Sequence, residues 1–110
     1  MSIAVAIPEL FEQIDRWGWC YLSTVSDDGR PHLVALRPLV AGDGDDRRLR
    51  LDAGGGRAFR NASARPAVTL VFPPIEGGDG FSLVVDGDAT VDDVFVDVHP
   101  TWAVLHRPAP

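Results

Sequence analysis

A chain of 110 residues, 45% hydrophobic and 24% charged, has the balance of one globular domain and little room for two. Its net charge of −6 argues against a nucleic-acid binder, whose affinity comes largely from cations on phosphates, and against docking on an anionic membrane surface. All ten basic residues are arginine, which supplies rigid, permanently charged donors but names no partner.

Leu10, Phe11, Ile14 and Trp17 recur at helical spacing and predict a short helix over Pro8–Trp17, with Pro8 in its first turn and Gly18 as its stop. The period then changes. Trp19–Val25 reads as a strand, Ser26-Asp27-Asp28-Gly29-Arg30 as a turn and Pro31–Val40 as a second strand, together a hairpin signal. A polar loop over Ala41–Arg47 leads to Arg48–Ala53, which alternates as a half-buried strand. Gly54-Gly55-Gly56 breaks it, and Arg57–Arg65 predicts a second short helix closed before Pro66. Ala67–Phe72 is the next strand. A Pro- and Gly-rich loop over Pro73–Gly80 precedes a strand over Phe81–Val91, bent at Gly87. Val94–Val98 reads as a sixth strand, and Thr101–His106 as a seventh or a continuation past Pro100. The tail Arg107-Pro108-Ala109-Pro110 reads as exposed. No internal repeat or linker divides residues 1–110, and short strands with turn signals between them point to a barrel or sandwich.

Gly54-Gly55-Gly56 before a helix start is the pattern that converges backbone N–H groups into an anion nest, with the helix terminus adding free donors and partial positive charge. Arg57 and Arg60 on the first turn would add charge-assisted bonds to a phosphate. The alternative is a flexible loop with solvated arginines. Arg37 shares a strand face with Leu33, Ala35 and Leu39, which makes it either a snorkelling edge residue or a charge facing a ligand or interface. Arg50 and Asp52 share one face of their strand, where a surface ion pair of little worth is the simplest reading.

Other chemistry finds less support. Cys20 is the one cysteine, so no intrachain disulfide can form, which fits a reducing cytoplasm; inside an apolar strand it reads as an inert buried thiol. His32, His99 and His106 lack the spacing of a metal site, and no nucleotide-binding glycine motif occurs. No stretch reaches transmembrane length, and Met1–Gln13 has neither a basic region nor a long apolar run. Asn61-Ala62-Ser63 spells a glycosylation acceptor and reads as chance without a secretory signal. Trp17, Trp19, Phe81 and Trp102 read as core or interface residues.

Three stretches carry a family likeness: Leu22–His32 with its Asp-Gly-Arg-Pro turn, Arg57–Leu70 with Asn61 and the Pro66-Ala67-Val68-Thr69-Leu70 strand start, and Leu83–Ala89 with Gly87 before a small residue. The ending Ala103–Pro108 adds to it. In this order they resemble the flavin-binding split-barrel proteins related to pyridoxamine 5'-phosphate oxidase, specifically the small actinobacterial-type members. The resemblance implies a mainly β fold: a six-stranded antiparallel split β-barrel with one or two short helices. It implies a homodimer with the cofactor at the interface, usually FMN, in some branches the deazaflavin F420, and a flavin-dependent oxidoreductase acting on a small-molecule substrate. The strand holding Arg50, Leu51 and Asp52 would pass close to the flavin, often through its backbone. Arg37 and the Gly55-Gly56-Arg57 segment would lie near its phosphate or polar edge. Two departures stand out. Ala58 occupies the position of a common phosphate-binding Lys or Arg, with Arg57 one residue earlier, and Gly56 replaces a usual hydroxyl residue. These departures favour a cofactor-free binding module as the alternative. The long substrate-binding C-terminal part of true pyridoxamine 5'-phosphate oxidases is not seen, which argues against that activity.

Overall fold

The computed structural model describes residues 1–109. Its elements are β1 (Ser2–Ala4), α1 (Ile7–Gln13) continued by a 3-10 turn (Ile14–Arg16), β2 (Cys20–Val25), β3 (Pro31–Leu36), β4 (Leu39–Ala41), a second 3-10 turn (Gly44–Asp46), β5 (Arg48–Asp52), α2 (Arg57–Ala64), β6 (Ala67–Phe72), β7 (Ser82–Asp92) and β8 (Phe95–His106). One antiparallel sheet runs in the order β3-β2-β6-β7-β8-β5-β4, with β1 paired to the end of β8. The architecture is the mainly β split barrel with two short helices, but it holds eight strands rather than six.

Three local causes account for the count. Pro38 lacks a backbone N–H, so the run predicted over Pro31–Val40 splits at Arg37-Pro38. Its first part stays on β2 and its second crosses to β5, so the two parts become opposite edges of the curled sheet. Of the two readings of the chain past Pro100, the continuation holds, and Phe95–His106 is one strand: Pro100 sits at a bulge, where Gly87 faces Pro100 while Asp86 faces Trp102. Gly87 is required there, since a Cβ would lie 2.7 Å from the His99 carbonyl oxygen and from Val98 Cγ1. Finally, β1 exists through its pairing with β8, Ser2 opposite His106 and Ala4 opposite Val104.

The β2–β3 turn forms as its residues dictate. Gly29 takes φ 83°, its N–H bonds the Ser26 carbonyl at 2.8 Å, and Ser26 N–H bonds the Arg30 carbonyl at 2.9 Å. Strand alternation then places Leu22, Leu49, Leu51, Leu70, Phe72, Leu83, Val85, Val96 and Val98 inside, all fully buried. Each such side chain contributes roughly 1.5–3 kcal/mol relative to exposure. Helix α1 lays Leu10 and Phe11 on this core and packs on β8, while α2 packs Ala58 and Ala62 beside β2 and β7. Of the tail, Arg107 is half-buried and Pro108 and Ala109 are exposed, whereas Pro110 lies outside the described residues. Among the described residues, no helix is long and apolar enough to cross a membrane, and no cluster of three or more potential ligands could hold a metal.

Candidate functional site

Two clefts flank the segment from β5 to α2. The first, of about 610 Å³, lies between the β2–β3 turn and α2. Arg30, Arg57 and Arg60 line it, together with Asp27, Asp28 and Asn61. The carboxylates are occupied: Asp27 takes Arg65 Nη2 at 2.7 Å, and Asp28 accepts the Arg30 backbone N–H at 3.1 Å. Arg60 Nη1 donates to the Gly55 carbonyl at 3.2 Å. The side chains of Arg30 and Arg57 have no hydrogen-bond or salt-bridge partner among the described residues. Gly56 caps α2 with no side-chain acceptor, so the first-turn N–H groups of the helix stay unsatisfied by the cap. Of the three glycines only Gly54 is left-handed, with φ 60°, and its N–H is held by Asp52 Oδ1 at 3.1 Å. A Cβ on Gly54, Gly55 or Gly56 would meet nothing within 4 Å, so the loop is open to an approaching group.

The phase of α2 settles where its basic residues point. Ala58 is buried in the core, so a basic side chain there would face apolar packing, whereas Arg57 and Arg60 turn toward the cleft. Asn61 fixes that phase. It is buried, and its Nδ2 donates to Thr24 Oγ1 at 3.1 Å and to Ser26 Oγ at 3.2 Å, tying the helix to β2.

The second cleft, of about 620 Å³, is lined by Trp19, Ala35, Leu36, Arg37 and Asp52. It offers an apolar floor, one carboxylate and the Arg37 guanidinium, which again has no polar partner among the described residues. Strand β4 covers only Arg48–Arg50 of β5, so the edge of β5 at Leu51 and Asp52 has no β4 residue beside it. Leu51 itself is fully buried, which leaves its backbone and not its side chain as the group able to face a ligand. Strand β3 links the two clefts: it begins at Pro31, in the first, and ends just before Arg37, in the second, a span of roughly 20 Å at the strand rise.

The structure thus brings Arg37 and Asp52 together, places Arg57 in the neighbouring cleft with Gly55 and Gly56 beside it, and sets Arg50 apart. Arg50 lies directly opposite Asp97 of β8 and bonds it twice, Nε at 2.8 Å and Nη2 at 3.0 Å. Its guanidinium stacks 4.5 Å from the Phe95 ring centroid, and Arg48 Nε adds a contact to Asp97 at 3.4 Å. The Arg50 bond holds the Asp97 carboxyl below the usual carboxylate range against the opposing effect of desolvation. The ion pair expected of Arg50 therefore forms with Asp97, not with Asp52. Sequence reasoning missed Arg30, hidden in turn chemistry, and Trp19 as a cleft wall.

No family model matches the chain. An uncharacterized protein of Mycobacterium bovis is 38% identical over 119 residues, spanning 97% of this chain and 78% of that protein. Among solved structures, an FAD-binding protein from Mycobacterium smegmatis superposes with a TM-score of 0.68 at 19% identity, covering 97% of this chain and all of that one. A structure described as F420 reductase superposes with a TM-score of 0.64 at 21% identity, covering 84% and 93% of the two chains. At such identities the structures establish the fold. The mycobacterial relative establishes more: the chain belongs to the family of that protein, and the fold in which it does so is the split barrel of flavin- and F420-binding proteins.

Proposed function

We propose that this chain binds a flavin, FMN in the first instance, and serves as a flavin-dependent oxidoreductase on a small-molecule substrate. One observation carries the reading: two unpartnered guanidiniums, Arg30 and Arg57, flank the uncapped first turn of α2 beside an open glycine loop. This donor set suits a phosphate, because free N–H groups at a helix start and guanidinium forks both recognise its oxygens. In this reading Arg57, Arg30 and the Gly55-Gly56 backbone hold the phosphate. The cleft of Trp19, Arg37 and Asp52, with the β5 edge at Leu51, seats the ring, and Arg37 faces its polar edge. Arg50 steadies β5 through Asp97. When bound, the flavin supplies the electron transfer; the chain binds it, orients it and excludes water.

A second copy completes the site. Tyr21, Val25 and Leu33 point outward from β2 and β3, Leu33 being 58% exposed, and Trp102 on β8 is 49% exposed on the same side of the sheet. An apolar patch of this kind marks an interaction surface. Arg37 toward one end of this face and Asp86 toward the other give it complementarity to its own two-fold copy. Leu33→Asp is expected to yield a monomer by sedimentation; an unchanged dimer, or a monomeric parent at micromolar concentration, would refute the interface.

The cofactor test is the visible spectrum after mixing with FMN, FAD or F420 and desalting. Retained FMN absorbance, lost in Arg57→Ala, is the expected result. Retention of F420 alone would assign a deazaflavin, and release of all three would assign a cofactor-free binding module.

A further inference from the structure

A third cleft, of about 350 Å³, lies between the 3-10 turn that ends α1, the 73–81 loop and the end of β8. Trp17, Ile75, Phe81 and Leu105 give it apolar walls. Arg16 stands on one rim, and Glu76 and Asp79 on the other. Three features set it apart from an ordinary surface groove. Arg16 and Glu76 line the same space, yet neither forms a salt bridge with any described residue. Trp17 Nε1 is sealed from solvent with no acceptor, although buried donors are nearly always partnered. The loop is held at its far end: Arg107 Nη1 donates to the Asp79 carbonyl at 2.9 Å, and its guanidinium lies 4.4 Å from the Phe81 ring centroid. Within the loop Gly77 and Gly80 take φ 76° and 85°, backbone conformations that favour glycine.

We propose that this cleft is a small-ligand site for a zwitterion with an apolar body, the chemistry of an apolar α-amino acid. Its carboxylate pairs with Arg16. Its ammonium group pairs with Glu76 and Asp79, and its side chain packs between Trp17, Ile75 and Phe81. A purely anionic ligand would face the two carboxylates, a purely cationic one would face Arg16, and an uncharged apolar one would leave both rims unpaired. The volume lies at the small end of the range for ligand sites, which suits a compact molecule. The site is independent of the flavin reading, since it shares no lining residue with either of the other clefts.

The test is a titration of the ¹⁵N-labelled full chain with L-phenylalanine, L-leucine and L-valine, followed by NMR. At least one of them is expected to give saturable shifts at the Trp17 indole and at the Gly77 and Gly78 amides. The amides of Gly54–Arg57 are expected to stay still, so loss of flavin binding would leave this result intact. Arg16→Gln and Glu76→Gln alter exposed side chains and should each weaken the binding roughly ten-fold or more. For L-phenylalanine, 3-phenylpropionate and phenethylamine, which each lack one charge, should show the same loss. The proposal is overturned if none of the three amino acids produces saturable shifts, or if Arg16→Gln binds as well as the parent.

Discussion

Asn61→Ala is expected to destabilise the fold and to displace the first cleft together with it. Asn61 is 5% exposed and its amide spans two hydroxyls, Thr24 Oγ1 at 3.1 Å and Ser26 Oγ at 3.2 Å. Thr24 is fully buried, so truncation removes two hydrogen bonds and deprives a hydroxyl that water cannot reach of its partner. Two bonds at about 1 kcal/mol each, with up to ~2 kcal/mol for the stranded hydroxyl, place the loss at about 2–4 kcal/mol. Against a domain stability of roughly 5–15 kcal/mol this is large, and at about 4 °C per kcal/mol it lowers Tm by about 8–16 °C. Urea titration followed by near-ultraviolet circular dichroism measures it. The control is Thr24→Val with Asn61→Leu, which replaces both partners by apolar groups and should recover much of the loss. A single variant within about 0.5 kcal/mol of the parent would refute the reasoning, because surface changes reach only that far. A double variant as unstable as the two singles added together would do the same. The functional consequence follows from the helix phase: with Asn61 gone, the polar tie left between α2 and β2 lies at the far end of the helix, where Arg65 bonds the Val25 carbonyl, and Arg57 and Arg60 at the start lose their fixed relation to Arg30.

Two further predictions concern titrating groups. Asp97 has its folded-state value lowered, first by the Arg50 hydrogen bond, so its contribution to stability is complete above the unfolded carboxyl value of about pH 4 and is lost as pH falls through the folded value. Urea midpoints measured at falling pH should show this acid limb, and Asp97→Asn should flatten it; the same limb in both proteins would exclude the pairing as its cause. Cys20 is fully buried and desolvation pushes its thiol up to about 12, so a thiol reagent at pH 8 should label it only at the rate of unfolding; prompt labelling of the native protein would show that β2 opens locally.

Local signals made much of this molecule legible. Ala67–Phe72 falls within the bounds read from Pro66 and the Pro73-Pro74 pair, and the β2–β3 hairpin follows from its Asp-Gly turn. What escaped depends on partners distant in sequence. Three residues of β1 carry no periodicity and are a strand only because the end of β8 lies beside them. Pro100 looks like a strand breaker until Gly87 is found opposite it at a bulge. The same limit applies to the site. Arg37 and Arg57 could be picked out locally by an apolar face and a glycine loop, whereas Asp52 stands out as a site residue only through the family resemblance of its strand. The partner of Arg50 could not, because Asp97 stands 47 positions away and meets it through strand pairing alone.

The arginines sort themselves in a way that the sequence could not reveal. Arg48 and Arg50 converge on Asp97, Arg65 holds Asp27 and the Val25 carbonyl, and Arg60 and Arg107 bond backbone carbonyls. Arg47 lies over the Phe11 ring. These six therefore have occupants of their own. The remaining four, Arg16, Arg30, Arg37 and Arg57, have no hydrogen-bonding, carboxylate or aromatic partner among the described residues, and each lines a cleft. On a chain with 16 acidic residues and a net charge of −6, an arginine on an open surface has many chances to pair. A guanidinium left free in a concavity keeps its donors and its field directed into that space, where low-dielectric walls strengthen its attraction for an anion. The distribution of unpaired cations, not the total charge, is therefore what the proposals rest on: a phosphate between Arg30 and Arg57, the polar edge of a ring at Arg37, and a carboxylate at Arg16.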